Sequence, residues 1–239
     1  MLWKIKKCLS PHQNLFLTTT TESDTLPSKA STSKRISAVL RKRHSQPPSS
    51  EKFFVDNFGV DHDIWKNIYI LPFLVTIESK LRTFQFKINH NIYFTNEKLN
   101  KAKMKSVSDD GKEIEIQPQC TFCKKEIETL EHLFVTCEVI EPLWDTLERV
   151  IGYSFSPAQK LLGCYNEIGN RPFDIISHLT ILLKHYIHIC RLKKCNPLFT
   201  VFSKKVVTTE SIEFRIAAKL GKGTQHAAKW GNIVTKFSF

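Results

Sequence analysis

The sequence predicts a mainly α protein: a helical, bundle-like body around a small knuckle with three Cys and one His ligand, preceded by a disordered basic N-terminus. Three observations carry this expectation. Apolar residues recur at spacings of three and four along several stretches, the period of one helix face. Cys120, Cys123, His132 and Cys137 form a C-x2-C-x8-H-x4-C array. Residues Thr18 to Ser50 are rich in Ser, Thr and Pro and hold too few apolar side chains to offset the entropy of ordering. The chain then divides into a tail over 1–50, a helical segment with a short strand over 51–118, the knuckle and its following helix over 119–150, and a C-terminal helical region over 151–239.

The tail holds nine Lys/Arg against two acidic residues. Lys34-Arg35 and Arg41-Lys42-Arg43 fit nuclear import or nucleic-acid contact, and equally a generic solvated tail. The first twenty-one residues lack an acidic side chain, as transit peptides do, but they are poorly amphipathic and interrupted by Pro11. The expected location is the nucleus, with cytoplasm and mitochondrion left open.

From Thr76, the residues Leu81, Phe84, Ile88 and Ile92 mark one apolar helix face, with Thr76 or Ser79 as its cap. His90 near its end reads as a packing or capping group. Asn96 can cap a second, shorter helix carrying Lys98, Lys101, Lys103 and Lys105. Asp110-Gly111 before the alternating Lys112-Glu113-Ile114-Glu115-Ile116 predicts a tight turn and a short strand.

At the knuckle, two cysteines two residues apart can wrap one turn around a metal. Four thiolate and imidazole donors are the preferred set of a structural, tetrahedral Zn²⁺ site. A five-residue step turns about 500° on a regular helix, so His132 and Cys137 would point apart unless the helix tightens or ends between them. Free thiols, or a Cys120–Cys123 disulfide that strands Cys137, are the plainer alternatives. Glu128 and Glu131 are both candidates to orient His132.

Beyond the knuckle, Pro142 suits a first helical turn, with Leu143, Trp144, Leu147, Val150 and Ile151 as the buried stripe and Trp144 as the anchor to the helical body. Asp174 can cap a longer helix, apolar on more than one face from Ile175 to Ile187, which belongs at the centre of a bundle. Arg191, Lys193 and Lys194 at its end suit the helix dipole or a phosphate equally. Thr208 or Thr209 can open a further helix through Ile212, Ile216 and Leu220, stopped by Gly221, and a last short helix surrounds Trp230. Gly-Lys-Gly at 221–223 lacks the spacing of a phosphate-binding loop. A second metal site from His185, His188, Cys190 and Cys195 is disfavoured by loose spacing.

Function classes narrow from composition. The most apolar stretch, Ile175 to Ile189, is broken by His178, Lys184, His185 and His188, so no bilayer span is expected. Seven cysteines suit a reducing compartment. The net charge of +12 suggests nucleic acid, yet residues 120–150 carry seven acidic side chains and three Lys/Arg. The knuckle is therefore expected to clamp the fold while basic helices meet phosphates, through Lys80, Arg82, Lys87, Lys98, Lys101 and Lys103.

The run Trp65-Lys66-Asn67-Ile68-Tyr69, then Ser79 to His90, Thr95-Asn96, Cys-x-x-Cys and Glu-Thr-Leu-Glu-His-Leu-Phe-x-x-Cys resembles the zinc-binding region that follows the reverse transcriptase domain in LINE-type (non-LTR) retrotransposon proteins. Pro142-Leu143-Trp144 fits the same pattern. The resemblance covers roughly 60–155, runs more loosely to Trp230 and leaves the first fifty residues unmatched. It implies support of target-primed reverse transcription by binding template RNA or target DNA. It brings no polymerase chemistry. Ser108-Asp109-Asp110 imitates paired catalytic aspartates but lacks a third carboxylate from a separate strand, and the chain is too short for a polymerase. No endonuclease site is apparent, so the expectation is a non-enzyme. The alternative is a protein–protein interaction module or a retroelement-derived fragment without a selected role.

Overall fold

A computed structural model of the protein describes residues 33, 36, 37, 48–107, 110–169, 171–231 and 233–237. The chain divides into two compact units, Met1–Pro47 and Pro48–Phe239. Most of the tail, with its two basic clusters, lies outside the described residues, as do Ser108 and Asp109 of the polymerase-like triplet. Asp110 is exposed in the turn that follows.

The second unit is mainly helical, as expected: α1 Ser49–Phe58, α2 Trp65–Val75, α3 Ser79–Asn89, α4 Asn96–Lys101, β1 Lys105–Val107, β2 Glu113–Glu115, α5 Glu141–Ile151, α6 Pro157–Leu162, α7 Arg171–Leu192, α8 Phe199–Lys219 and α9 Gly223–Trp230. Helix α7 is the centre. It packs on α2, α3, α8 and α9, and Leu179, Leu182, Leu183 and Ile187 on it are fully buried. A helix apolar all round can lie only where neighbours cover every face. The two strands pair antiparallel with Lys105 opposite Glu115 and Val107 opposite Glu113, and Gly111 takes the positive φ of +75° that their turn requires.

Helix α2 is apolar on most sides and contains Pro72, which has no N–H for the carbonyl of Ile68. Buried Asn89 supplies the missing donor, its Nδ2 lying 3.1 Å from that oxygen. Asn89 is held by Gln85 Nε2 at 2.7 Å, which also donates to the Leu161 carbonyl at 2.9 Å. Lys184, wholly buried on α7, donates to Gln85 Oε1 at 2.8 Å and to the same Leu161 carbonyl. This polar chain ties α2, α3, α6 and α7 together with its members satisfied, the condition under which buried polar groups specify a core rather than weaken it. At Gly163 a Cβ would meet Leu71 Cδ2 at 2.6 Å; only glycine lets this turn approach α2.

Several expected element ends move. Helix α3 stops at Asn89, and Ile92, placed on its apolar face, is half exposed beyond it. Its first turn has no side-chain cap; Thr76 Oγ1 instead accepts the Glu78 N–H at 3.1 Å, outside the helix. Thr95, not Asn96, caps α4 by accepting the Lys98 N–H. That helix ends at Lys101, leaving Lys103 in a turn at φ +52° and Lys105 in β1. Helix α7 begins at Arg171, so Asp174 sits in its first turn. Helix α8 begins at Phe199, and Thr208 and Thr209 lie inside it, their hydroxyls donating to the Lys204 and Lys205 carbonyls at 2.8 Å each. His90 packs as expected, stacked on Tyr69 at 5.0 Å.

Three histidines on α7 are held in their neutral form. Burial, with Lys229 adding to it, keeps His178 well below its ordinary value. Burial, then Lys205, His188 and Lys80, lowers His185 to about 4. Burial, then Arg191 and Lys87, lowers His188. Because the folded values lie below the unfolded value of 6.5, the stability these groups lend is complete above that pH and is lost as pH falls toward 4. In denaturant titrations at pH 7 and pH 4.5, H178F/H185F should lose less stability on acidification than the native chain. Equal losses would assign acid unfolding to other groups.

Candidate metal centre

The knuckle is built by backbone bonds before any metal is considered. Gln119 bridges antiparallel to Ile127, and the Cys120 N–H donates to Glu126 O at 2.7 Å. The chain then reverses through Lys124 at φ +60°, whose N–H donates to Cys120 O at 3.0 Å. The Phe122 N–H points at Cys120 Sγ, 3.4 Å away. Thr129 Oγ1 accepts the His132 N–H at 3.0 Å and so starts the second half of the site.

Residues His132–Thr136 form a single π-helical turn. The Cys137 N–H donates to His132 O at 3.0 Å, an i→i+5 bond. Where the sequence predicts that the helix tightens or ends between these ligands, it does end at Thr136, but the turn before that end widens rather than tightens. A wider turn brings the fifth residue back over the first, and Cys137 then leaves in extended backbone with its sulfur beside the others.

The four donor atoms lie within 4.8 Å of one another. Cys120 Sγ and Cys137 Sγ are 3.8 Å apart, and Cys123 Sγ and His132 Nε2 are 3.3 Å apart. Sulfurs at tetrahedral angles and about 2.3 Å from a common ion stand ~3.8 Å apart, so the donors fit one metal ion. Cys120 and Cys137 are fully buried, His132 nearly so and Cys123 half-buried. The contact with Cys137 pushes the Cys120 thiol up, burial adding to it, while the same contact lowers Cys137. A metal displaces the proton shared between them, so its affinity falls with falling pH. Among the described residues this is the one cluster of three or more His, Cys, Asp or Glu close enough to share an ion; His185, His188, Cys190 and Cys195 form none.

The carboxylate beside His132 is Glu126, with Oε2 3.1 Å from Nδ1 but off the hydrogen-bonding direction of the ring nitrogen. It is neither Glu128 nor Glu131. Glu128 has a different task. It is wholly buried, and its Oε2 accepts the Thr121 N–H of the knuckle at 2.8 Å. Its Oε1 accepts the Asn96 N–H of α4 at 2.9 Å and Arg191 Nε of α7 at 2.9 Å. Arg191 Nη2 lies 2.6 Å from the same oxygen and also donates to Asn96 Oδ1 at 2.9 Å. Sequence reasoning missed this clamp, whose members are 32 and 63 positions from Glu128.

Trp144 is the expected anchor. It is fully buried and its Nε1 donates to Phe134 O in the π-turn at 2.7 Å. Phe134 is fully buried against Tyr93 at 5.2 Å and Phe84 at 5.9 Å, and Phe122 is half-buried.

The six cations expected to meet phosphates divide. Lys80 and Lys87 stand exposed on α3 without an ion partner among the described residues. Arg82 donates to the Thr76 and Phe73 carbonyls, closing the end of α2. Lys98 donates to the backbone and side-chain oxygens of Asn91. Lys101 pairs with Glu97 at 2.6 Å, and Lys103 is exposed in the turn after α4.

Comparison with protein-family models, curated proteins and solved structures gives no match to this chain. The variants Cys123→Ser and His132→Ala should lose the bound metal and, in hydrogen exchange, the protection of residues around 119–150, including α5. Retention of native cooperative melting without metal would refute a structural role. Glu128→Gln leaves the donors intact but strands Arg191, and should cost about 3 kcal/mol in denaturant unfolding with metal stoichiometry unchanged. A loss below about 1 kcal/mol would mean that the clamp is not essential.

Proposed function

We propose that this chain is a non-catalytic, zinc-stabilised module that binds RNA or DNA, of the kind that follows the reverse transcriptase domain in LINE-type retrotransposon proteins. Zinc is the ion that three thiolates and an imidazole favour, and a closed set of four protein donors leaves no position for an activated water. The ion thus holds the knuckle, and binding belongs to another surface.

Segregation of charge carries the reading. Glu126, Glu141 and Asp145 are exposed on the knuckle and its following helix, where they repel phosphate, and exposed Glu138 is paired with Lys125 at 2.7 Å. Lys80 and Lys87 are exposed on α3 and have no ion partner among the described residues. Affinity for nucleic acid arises largely where cations replace counterions at phosphates. The zinc-loaded full chain should bind RNA or DNA with an affinity that falls steeply and log-linearly with salt, and residues 48–239 should retain that binding. Loss with the first 47 residues would assign it to the tail; binding indifferent to salt would overturn the reading.

A second reading, a protein-interaction module, is favoured by an apolar strip in which Leu74 of α2 and Ile77 beyond it meet Ile212 and Ile216 of α8 and Leu220 at its end along two adjoining clefts. All five are exposed. Nuclease-resistant association abolished by I77D/I216D is the outcome that reading requires.

A further inference from the structure

Between α3, the segment 92–99 and the C-terminal half of α7 lies a groove of about 550 Å³, within the range of small-ligand sites. Its lining includes Lys80, Lys87 and Arg191 and no Asp or Glu. Arg191 is already neutralised by Glu128 at 2.6 Å, so the surplus charge is that of the two lysines. They are seven residues apart on α3, which places them on one face about 10 Å apart along the helix. The field is felt inside the groove: after burial, Lys205, His188 and Lys80 lower His185, and Arg191 and Lys87 lower His188.

The walls between these cations are flat and aromatic. Phe84 stacks on His188 at 5.4 Å and meets His185 edge-on at 5.3 Å. Tyr93 packs edge-on to Phe84 at 5.9 Å, and its hydroxyl lies 2.7 Å from His188 Nδ1. Phe94 is 65% exposed at the same groove, an unusual place for an unpartnered ring. His185 Nδ1 has no hydrogen-bond partner among the described residues. Neutral imidazoles offer ring faces and polar edges rather than charge.

A fitting ligand therefore needs negative charge at the rim, a flat ring for the interior and heteroatoms at the ring edge. We propose that this groove is a nucleotide site, taking an unpaired base against Phe94, Tyr93 and the two histidines, with phosphate at Lys80 and Lys87. It rests on the nucleic-acid reading above and sharpens it: stacking on aromatic side chains beside cations selects single strands, since a base inside a duplex has both faces covered.

The test uses the metal-loaded full chain with labelled U10 RNA, dT10, a ten-pair duplex and free UMP. Single strands should bind tightest, and K80E/K87E should weaken them at least tenfold and lower the salt slope by about 1.4, the share of two phosphate contacts. Phe94→Ala, at an exposed ring, should weaken binding ~5–30-fold, while K204E/K219E on α8 changes it less than twofold. UMP should shift the His185 and His188 ring resonances. UMP bound as tightly as the decamers would name a free nucleotide as the ligand of the same groove. Folded K80E/K87E and F94A proteins that bind like the native chain, or equal affinity for duplex, would overturn the groove and leave the broader function standing. Absence of any nucleic-acid binding would overturn both.

Discussion

The position of the knuckle depends on one buried carboxylate. A metal ion held by Cys120, Cys123, His132 and Cys137 would fix the distances among them but would not determine where that cluster sits on the helices. Glu128 supplies the missing constraint, because its two oxygens reach a knuckle amide, an α4 amide and the Arg191 guanidinium on α7 at once. A buried ion pair carries a large desolvation penalty and is a weak source of net stability even when fully hydrogen-bonded. What this one contributes is geometry: its partners lie on the knuckle, α4 and α7, so the charge is fully satisfied with all three in place. Its value lies in excluding alternatives, and its removal would leave an uncompensated cation in the interior.

The second attachment is mechanical and grows out of the metal geometry itself. Bringing Cys137 back over His132 needs the i→i+5 turn, and such a turn is too short to satisfy its own carbonyls. The Phe134 carbonyl is taken by the Trp144 indole, which is buried against Phe155. The ligand spacing, the wide turn and the tryptophan twelve residues after His132 are thus parts of one solution. A phenylalanine at 144 could fill much of the volume but could not close the turn.

Much of this was legible in the sequence, and the parts that were not have identifiable causes. The four donors and the stripe Leu143, Trp144, Leu147 are local patterns, and local patterns survive tertiary context. Helix α2 is apolar on most sides and carries Pro72, so periodicity could not mark it. The pair Thr208 and Thr209 reads as a cap, yet inside a helix the same hydroxyls can bond the carbonyls four residues back; sequence does not choose between the two uses. Thr95 and Asn96 are both good caps, and only the demand for Asn96 at Gln119, Thr121 and Arg191 settles which one is free to cap. The Glu128 clamp joins residues far apart in the chain and left no local trace.

The knuckle and the groove are also one structure. Phe134 belongs to the π-turn that brings His132 and Cys137 together, and it packs on Phe84 and Tyr93, two walls of the groove. Arg191 holds Glu128 with one edge and lies over Tyr93, 5.8 Å from its ring centre, with its face. A disturbance at the cysteines therefore reaches the groove along two independent routes, one apolar through Phe134 and one ionic through Glu128 and Arg191. In the proposed nucleic-acid reading the knuckle would govern binding without touching a ligand, and its acidic surface would be no obstacle to it. The exposed acidic side chains of that surface belong to the knuckle and α5, and none of them lines the groove that Lys80 and Lys87 border.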